Sequence, residues 1–135
     1  MKKNINNYLF IYLLILFSFA VFFLYQKHEV PNDSTISEWL INYEGGFTKR
    51  GLIGQLSIYL SNLFAINLRD SIFVLQILII GIYFILIYIY LKNLLYNKIF
   101  IFAIFTPIFI LYPIAEIEVL ARKEIFIFIY LLTYC

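Results

Sequence analysis

The sequence predicts an all-α protein: a polytopic transmembrane helix bundle with two interfacial amphipathic helices in its first outer loop. Three observations carry this expectation. Of 135 residues, 64% are hydrophobic and only 13% charged, whereas soluble domains carry about a quarter charged residues. Two apolar runs, at 8–26 and 71–91, each hold a single polar interior residue, Ser18 and Gln76. Both match the roughly 20 residues a helix needs to cross about 30 Å of hydrocarbon. Most other polar groups collect in short stretches, notably 42–54 and 116–124.

The run at 8–26 follows Lys2 and Lys3. It is longer than the roughly 7–15 residues of a signal-peptide apolar region, and no small-x-small cleavage site follows it, so it reads as a retained first span. A third span is expected at 99–115, carrying Pro107 and Pro113; such kinks survive in membranes where neighbouring groups cover the freed carbonyls. Residues 125–135 start a fourth apolar run of about half a crossing. The amino end is expected on the cytoplasmic side of the inner (plasma) membrane, because the first helix usually sets orientation. Lys27, Lys49, Arg50, Arg69, Arg122 and Lys123 then lie outside, a distribution the positive-inside rule does not itself favour.

The outer loop, 27–70, is patterned. Asp33, Ser34 and Thr35 offer N-cap oxygens, and Thr35 with Glu38 spells a capping box. Ile36, Trp39, Leu40 and Tyr43 recur at helical spacing, so a surface helix is expected at 34–44, stopped by Gly45 and Gly46. A second is expected at 51–67. Leu52, Ile53, Leu56, Tyr59, Leu60, Leu63, Phe64 and Ile66 fill one arc of it; Gly51, Gly54, Gln55, Ser57, Ser61 and Asn62 fill the other. So wide a polar arc fits a helix lying in the interface, with crossing inside a bundle as the other option. His28 reads as a solvated loop residue.

Candidate chemistry falls in the two polar stretches. Gly45, Gly46 and Gly51 allow close backbone approach to a ligand. Lys49 and Arg50 can grip a phosphate, Arg as a planar fork and Lys as a point charge. Glu44 beside them is a candidate general base or metal ligand. The plainer reading is a turn between two interfacial helices, its basic residues reaching lipid phosphates. In the second stretch Glu116 and Glu118 could share Mg²⁺ or Mn²⁺, hard cations that prefer oxygen, and Arg122 with Lys123 could again neutralise phosphate. In a helix, Glu118 and Arg122 would instead form a four-spaced ion pair.

Composition also removes classes. A net charge of +2 with no basic run argues against nucleic acid as a partner. One cysteine, Cys135, allows neither an internal disulfide nor a thiolate metal cluster. No P-loop, dinucleotide-binding, zinc-protease or serine-hydrolase motif is present. Gln76 is the one strongly polar group deep in a clear span, which disfavours a transporter or channel.

The run Tyr43-Glu44-Gly45-Gly46-Phe47-Thr48-Lys49-Arg50-Gly51-Leu52-Ile53-Gly54 resembles a motif of bacterial multi-span membrane proteins of cell-surface polysaccharide synthesis. In those proteins a Gly-Phe-x-(Lys/Arg)-Arg-Gly-Leu core follows the first span. Arg122-Lys123-Glu124 resembles an Arg-Lys-Glu signature of such proteins. The layout is similar to the amino-terminal module of GT-C glycosyltransferases, which transfer sugars from polyprenyl-phosphate carriers with acidic residues in the first two outer loops. By position, the resemblance implies Glu44 for the first acidic residue and Glu116 with Glu118 for the second. This sequence has Glu where that family commonly has Asp, and its fourth span is half-formed.

Two functions follow. One is a glycosyltransferase-like membrane protein of envelope glycan assembly, present as an amino-terminal part or truncated product. The other is a non-catalytic membrane subunit, partnered in the bilayer by other chains, or an inactive remnant of a longer protein.

Overall fold

In the computed structural model the described residues are 2–30, 34–43, 46, 51–94 and 111–134. They are helical, with no strand among them. The elements are α1 (Lys2–Glu29), α2 (Ser34–Trp39), α3 (Gly51–Phe64), α4 (Leu68–Leu94), α5 (Tyr112–Ala115), α6 (Ile117–Ala121) and α7 (Ile125–Tyr134).

Among the described residues, two helices are long and apolar enough to cross a membrane, in the segments Asn6–Glu29 and Leu68–Lys92. They pack antiparallel, and ring contacts set the register. Phe10 meets Tyr88 edge-on at 5.9 Å between centroids, Phe17 meets Phe84 at 5.5 Å, and Tyr25 meets Phe73 at 6.2 Å. On α1 the buried side is Leu9, Leu13, Ala20 and Leu24, spaced to stay on one helical stripe; α4 answers with Ile80, Tyr83, Phe84, Ile87 and Leu91. Many other apolar side chains of both helices face outward, among them Phe10, Ile11, Phe22, Leu78, Ile82 and Ile85. An apolar surface of that kind suits hydrocarbon better than water.

Both long helices extend past their expected ends. α1 continues to Glu29, so His28 is not a solvated loop residue. It lies in the last turn of α1, mostly covered, its ring 5.1 Å from that of Phe73. Its Nε2 stands 3.0 Å from Asp70 Oδ1. Arg69 donates to the Val30 carbonyl across the same junction. The two ends of the loop therefore meet at one closed end of the helix pair.

α2 ends at Trp39, five residues short of the expected stop. The Leu40 amide bonds back to the Ile36 and Ser37 carbonyls and the chain then leaves the helix. Thr35, expected as a cap, sits buried in the first turn. Gly46 does adopt the left-handed region, at φ +115°. α3 ends at Phe64, three residues early, where Ala65 turns at φ 51° and Ser61 Oγ donates to the Ile66 carbonyl at 2.7 Å.

The polar arc of α3 is divided: its small residues turn inward while Gln55 and Asn62 stay exposed. Gly51, Gly54 and Ser57 are buried against the protein, while Leu52, Leu56, Tyr59, Leu63 and Phe64 point outward. Without water to drive apolar faces together, membrane helices pack on small residues that let backbones approach. The small arc is the packing surface here and the large apolar arc faces the surroundings. Ser71 Oγ of α4 donates to the Ser57 carbonyl at 2.8 Å, and Ser57 Oγ donates to Ile53 at 2.9 Å.

Of the third expected span, residues 99–110 lie outside the described residues. Its last part is α5, with Pro113 in the first turn and Leu111 buried beneath the α1–α4 pair. Glu116 is extended, at φ −109° and ψ 92°, and breaks the chain between α5 and α6. α7 occupies the expected fourth run and packs along α4, Ile125 fully buried.

Candidate functional site

Trp39 and Gln76 tie α2 and α4 to the second polar stretch. Trp39 is the last residue of α2 and has no exposed surface; Ile36 and Ile72 complete its cluster. Gln76 lies eight residues into α4, about 12 Å along its axis, and is 4% exposed. Trp39 Nε1 donates to the Ala121 carbonyl at 2.7 Å and Gln76 Nε2 donates to the same oxygen at 2.9 Å.

The reason lies in α6. Its final carbonyls have no partner within the helix, and the chain turns extended at Arg122, with φ −95° and ψ 169°. The buried Ala121 oxygen must then find donors elsewhere, since a carbonyl left unpaired in an apolar setting is costly. One donor comes from the first loop and one from the second long helix. A carbonyl has two lone pairs, and both are used.

This node places Arg122, Lys123 and Glu124 at the same end of the α1–α4 pair as the first loop. Glu44, Gly45, Lys49 and Arg50 lie outside the described residues. Gly46 lies within that stretch, and Gly51, which follows it, is buried as the first residue of α3. Gly54, one turn on, is where α3 docks. A Cβ there would stand within a bond's reach of backbone, 2.1 Å from the Ile41 oxygen and 2.7 Å from its carbon. The segment after α2 is thereby pinned against the first turn of α3.

The acidic pair is arranged locally. Glu116 and Glu118 are both exposed. Tyr112 OH lies 3.4 Å from Glu116 Oε2, and Arg122 Nη2 lies 3.4 Å from Glu118 Oε2. The four-spaced pair anticipated for a helix is therefore formed. No group of three or more His, Cys, Asp or Glu able to hold a metal ion occurs among the described residues, so a cation at Glu116 and Glu118 would need ligands from elsewhere. Arg122 and Lys123 are half-buried.

An exposed four-spaced pair contributes about 0.3–0.5 kcal/mol. Glu118→Gln is accordingly expected to move the unfolding free energy by no more than about 0.5 kcal/mol, read by denaturant titration in mixed micelles. A larger loss would mean that Glu118 holds the fold through something besides Arg122.

The residues that organise this region, Trp39, Gln76, Gly54 and Ala121, are not those whose side chains suggested chemistry. One signal for them was present: a lone amide in an apolar span needs a partner. No family model, curated protein or solved structure matches this chain.

Proposed function

We propose that this chain is a multi-pass protein of the inner membrane, amino end cytoplasmic, that takes part in envelope glycan assembly in the manner of a glycosyltransferase using a polyprenyl-phosphate-linked sugar. The observation that carries the reading is the Trp39–Ala121 hydrogen bond. It joins the helix preceding the glycine–basic stretch to the residue preceding Arg122 and Lys123. Cationic groups from both stretches could then meet one anionic pyrophosphate. Lys49, Arg50, Arg122 and Lys123 would stabilise charge developing on the leaving phosphate. Glu44 would take the proton from the acceptor hydroxyl as it attacks the sugar, and Glu116 with Glu118 would be where Mg²⁺ or Mn²⁺ helps.

The test is sugar transfer from a labelled polyprenyl-phosphate donor, in membranes of the native host expressing Glu44→Gln or Arg50→Ala as the only copy. Removing a general base typically costs 10²–10⁴-fold, so transfer should fall at least about a hundredfold in Glu44→Gln at unchanged protein level. Full transfer in both variants overturns the assignment.

A second reading, a non-catalytic subunit working beside other membrane chains, is favoured by one observation. Glu116 and Glu118 are both exposed and engaged with close sequence neighbours, Tyr112 and Arg122. It expects Glu44, Arg50 and Glu118 to tolerate substitution. Membrane-impermeant labelling of cysteines placed at 44 and 118 separates the readings, since labelling from opposite sides excludes a shared site.

A further inference from the structure

Two kinds of exposed surface occur at one level of the helix bundle. The second long apolar segment runs Leu68–Lys92, and its middle residue is Ile80. Gln76 lies four residues from that middle, about 6 Å along the axis, and donates to the Ala121 carbonyl at 2.9 Å. Ala121 is therefore held at that level, and Arg122 follows it directly. Half the hydrocarbon thickness is about 15 Å, so a spanning α4 puts this junction well inside the hydrocarbon.

Arg122 and Glu118 are not covered there. Their side chains are 42% and 63% exposed, and they face each other at 3.4 Å. The same level also exposes apolar side chains: Leu78 on α4, and Leu52 and Ile127, which line one groove with Leu75 and Ile79. An outward surface of Leu and Ile belongs in lipid, whereas uncovered charges are costly in lipid and turn to water instead. The backbone agrees. It is extended at Glu116 and again at Arg122, so α5, α6 and α7 are three separate short pieces. Broken helix at membrane depth is tolerated where it is buried in protein or lines a water-filled cavity.

We infer that water enters the hydrocarbon zone at the break between α6 and α7, so that Glu118 and Arg122 line a hydrated site inside the membrane. The second polar stretch is then an intramembrane pocket wall and not a surface loop. This deepens the reading above, because a phosphate met by Arg122 would be met below the level of the headgroups. The inference rests on α1 and α4 spanning the membrane and not on sugar transfer. It stands if transfer proves absent, and it falls with the spanning itself.

The experiment places one nitroxide label at a time on the full chain, in vesicles of phosphatidylethanolamine and phosphatidylglycerol. The labels sit on Leu52→Cys, Ile82→Cys, Glu118→Cys or Ile127→Cys, each with Cys135→Ser. Collisions with oxygen, which concentrates in lipid, are compared with collisions with a neutral nickel chelate, which stays in water. Oxygen should dominate at 52 and 127, as it should at the exposed Ile82 near the middle of α4. Nickel collisions at 118 should exceed those at 52 and 127 several-fold. Nickel dominating at 52 and 127 while 82 reads as lipid would put this level outside the bilayer and overturn the inference alone. Nickel dominating at 82 as well would overturn the spanning reading with it. Nickel excluded from 118 would show a dry junction and also refute the inference. If a labelled variant does not fold, hydrogen–deuterium exchange of the wild-type chain in the same vesicles decides. Amides of 117–124 should exchange within minutes while those of 72–90 stay protected; protection of both, or exchange of both, refutes it.

Discussion

Trp39→Ala is expected to be the most destabilising single substitution among the described residues, by about 3–5 kcal/mol. The side chain is wholly buried, fills the space between Ile36 and Ile72, and lies 6.3 Å from the Phe126 ring between centroids. Truncation removes that packing and one of two donors to the Ala121 carbonyl together. Trp39→Phe separates the effects. It keeps a ring and loses the N–H, and should cost about 1 kcal/mol, because Gln76 still donates to the oxygen.

Gln76→Leu should cost a similar amount for the mirror reason. The informative measurement is the double variant. With both donors gone the carbonyl is left buried and unsatisfied, which costs about 1–3 kcal/mol. The double variant should therefore lose more stability than the two single losses summed, by roughly 0.5–3 kcal/mol, the range of directly coupled groups. Additivity within about 0.5 kcal/mol in mixed-micelle denaturation would show that the two donors do not share this acceptor.

Gly54→Ala is the second large effect. The added methyl would lie 2.1 Å from the Ile41 oxygen and 3.1 Å from that of Leu40, and these are backbone atoms that cannot rotate away. Relief requires α3 to lift from the segment after α2, which also separates Ser57 from Ser71. Overpacking of this kind costs about 1–3 kcal/mol. Cysteines placed at 41 and 55 report it directly. Their cross-linking should drop sharply in Gly54→Ala, and unchanged cross-linking at wild-type stability would show that α3 does not dock there. Gly81 provides the contrast. A methyl there meets nothing within 4 Å, so Gly81→Ala should be close to neutral or mildly stabilising.

Much of the architecture was legible along the chain. The runs at 8–26 and 71–91 lie inside α1 and α4, and α3 and α7 start where the periodicity placed them. Apolar length and helical spacing are local properties, and a segment of about 20 apolar residues has few alternatives in hydrocarbon. Helix ends were read less well. α1 gained a turn because His28 and Tyr25 could lean on Phe73 of a distant helix, and α2 lost one because its last residue is held by Ala121. Neither partner is near in sequence.

By itself, then, the sequence determined the helical class and the positions of the two long apolar helices and of the two polar stretches. Composition and periodicity act within each segment and need no knowledge of its neighbours. Only the tertiary structure decided which face of α3 turns inward, that Gln76 is satisfied, and that the end of α2 meets Ala121. The last two depend on one carbonyl oxygen, at Ala121, and on the donors that reach it from 82 and 45 residues away. A hydrogen bond over that separation leaves no periodic trace in the chain; it exists because a buried acceptor without water must be paired by whatever the fold brings within 3 Å.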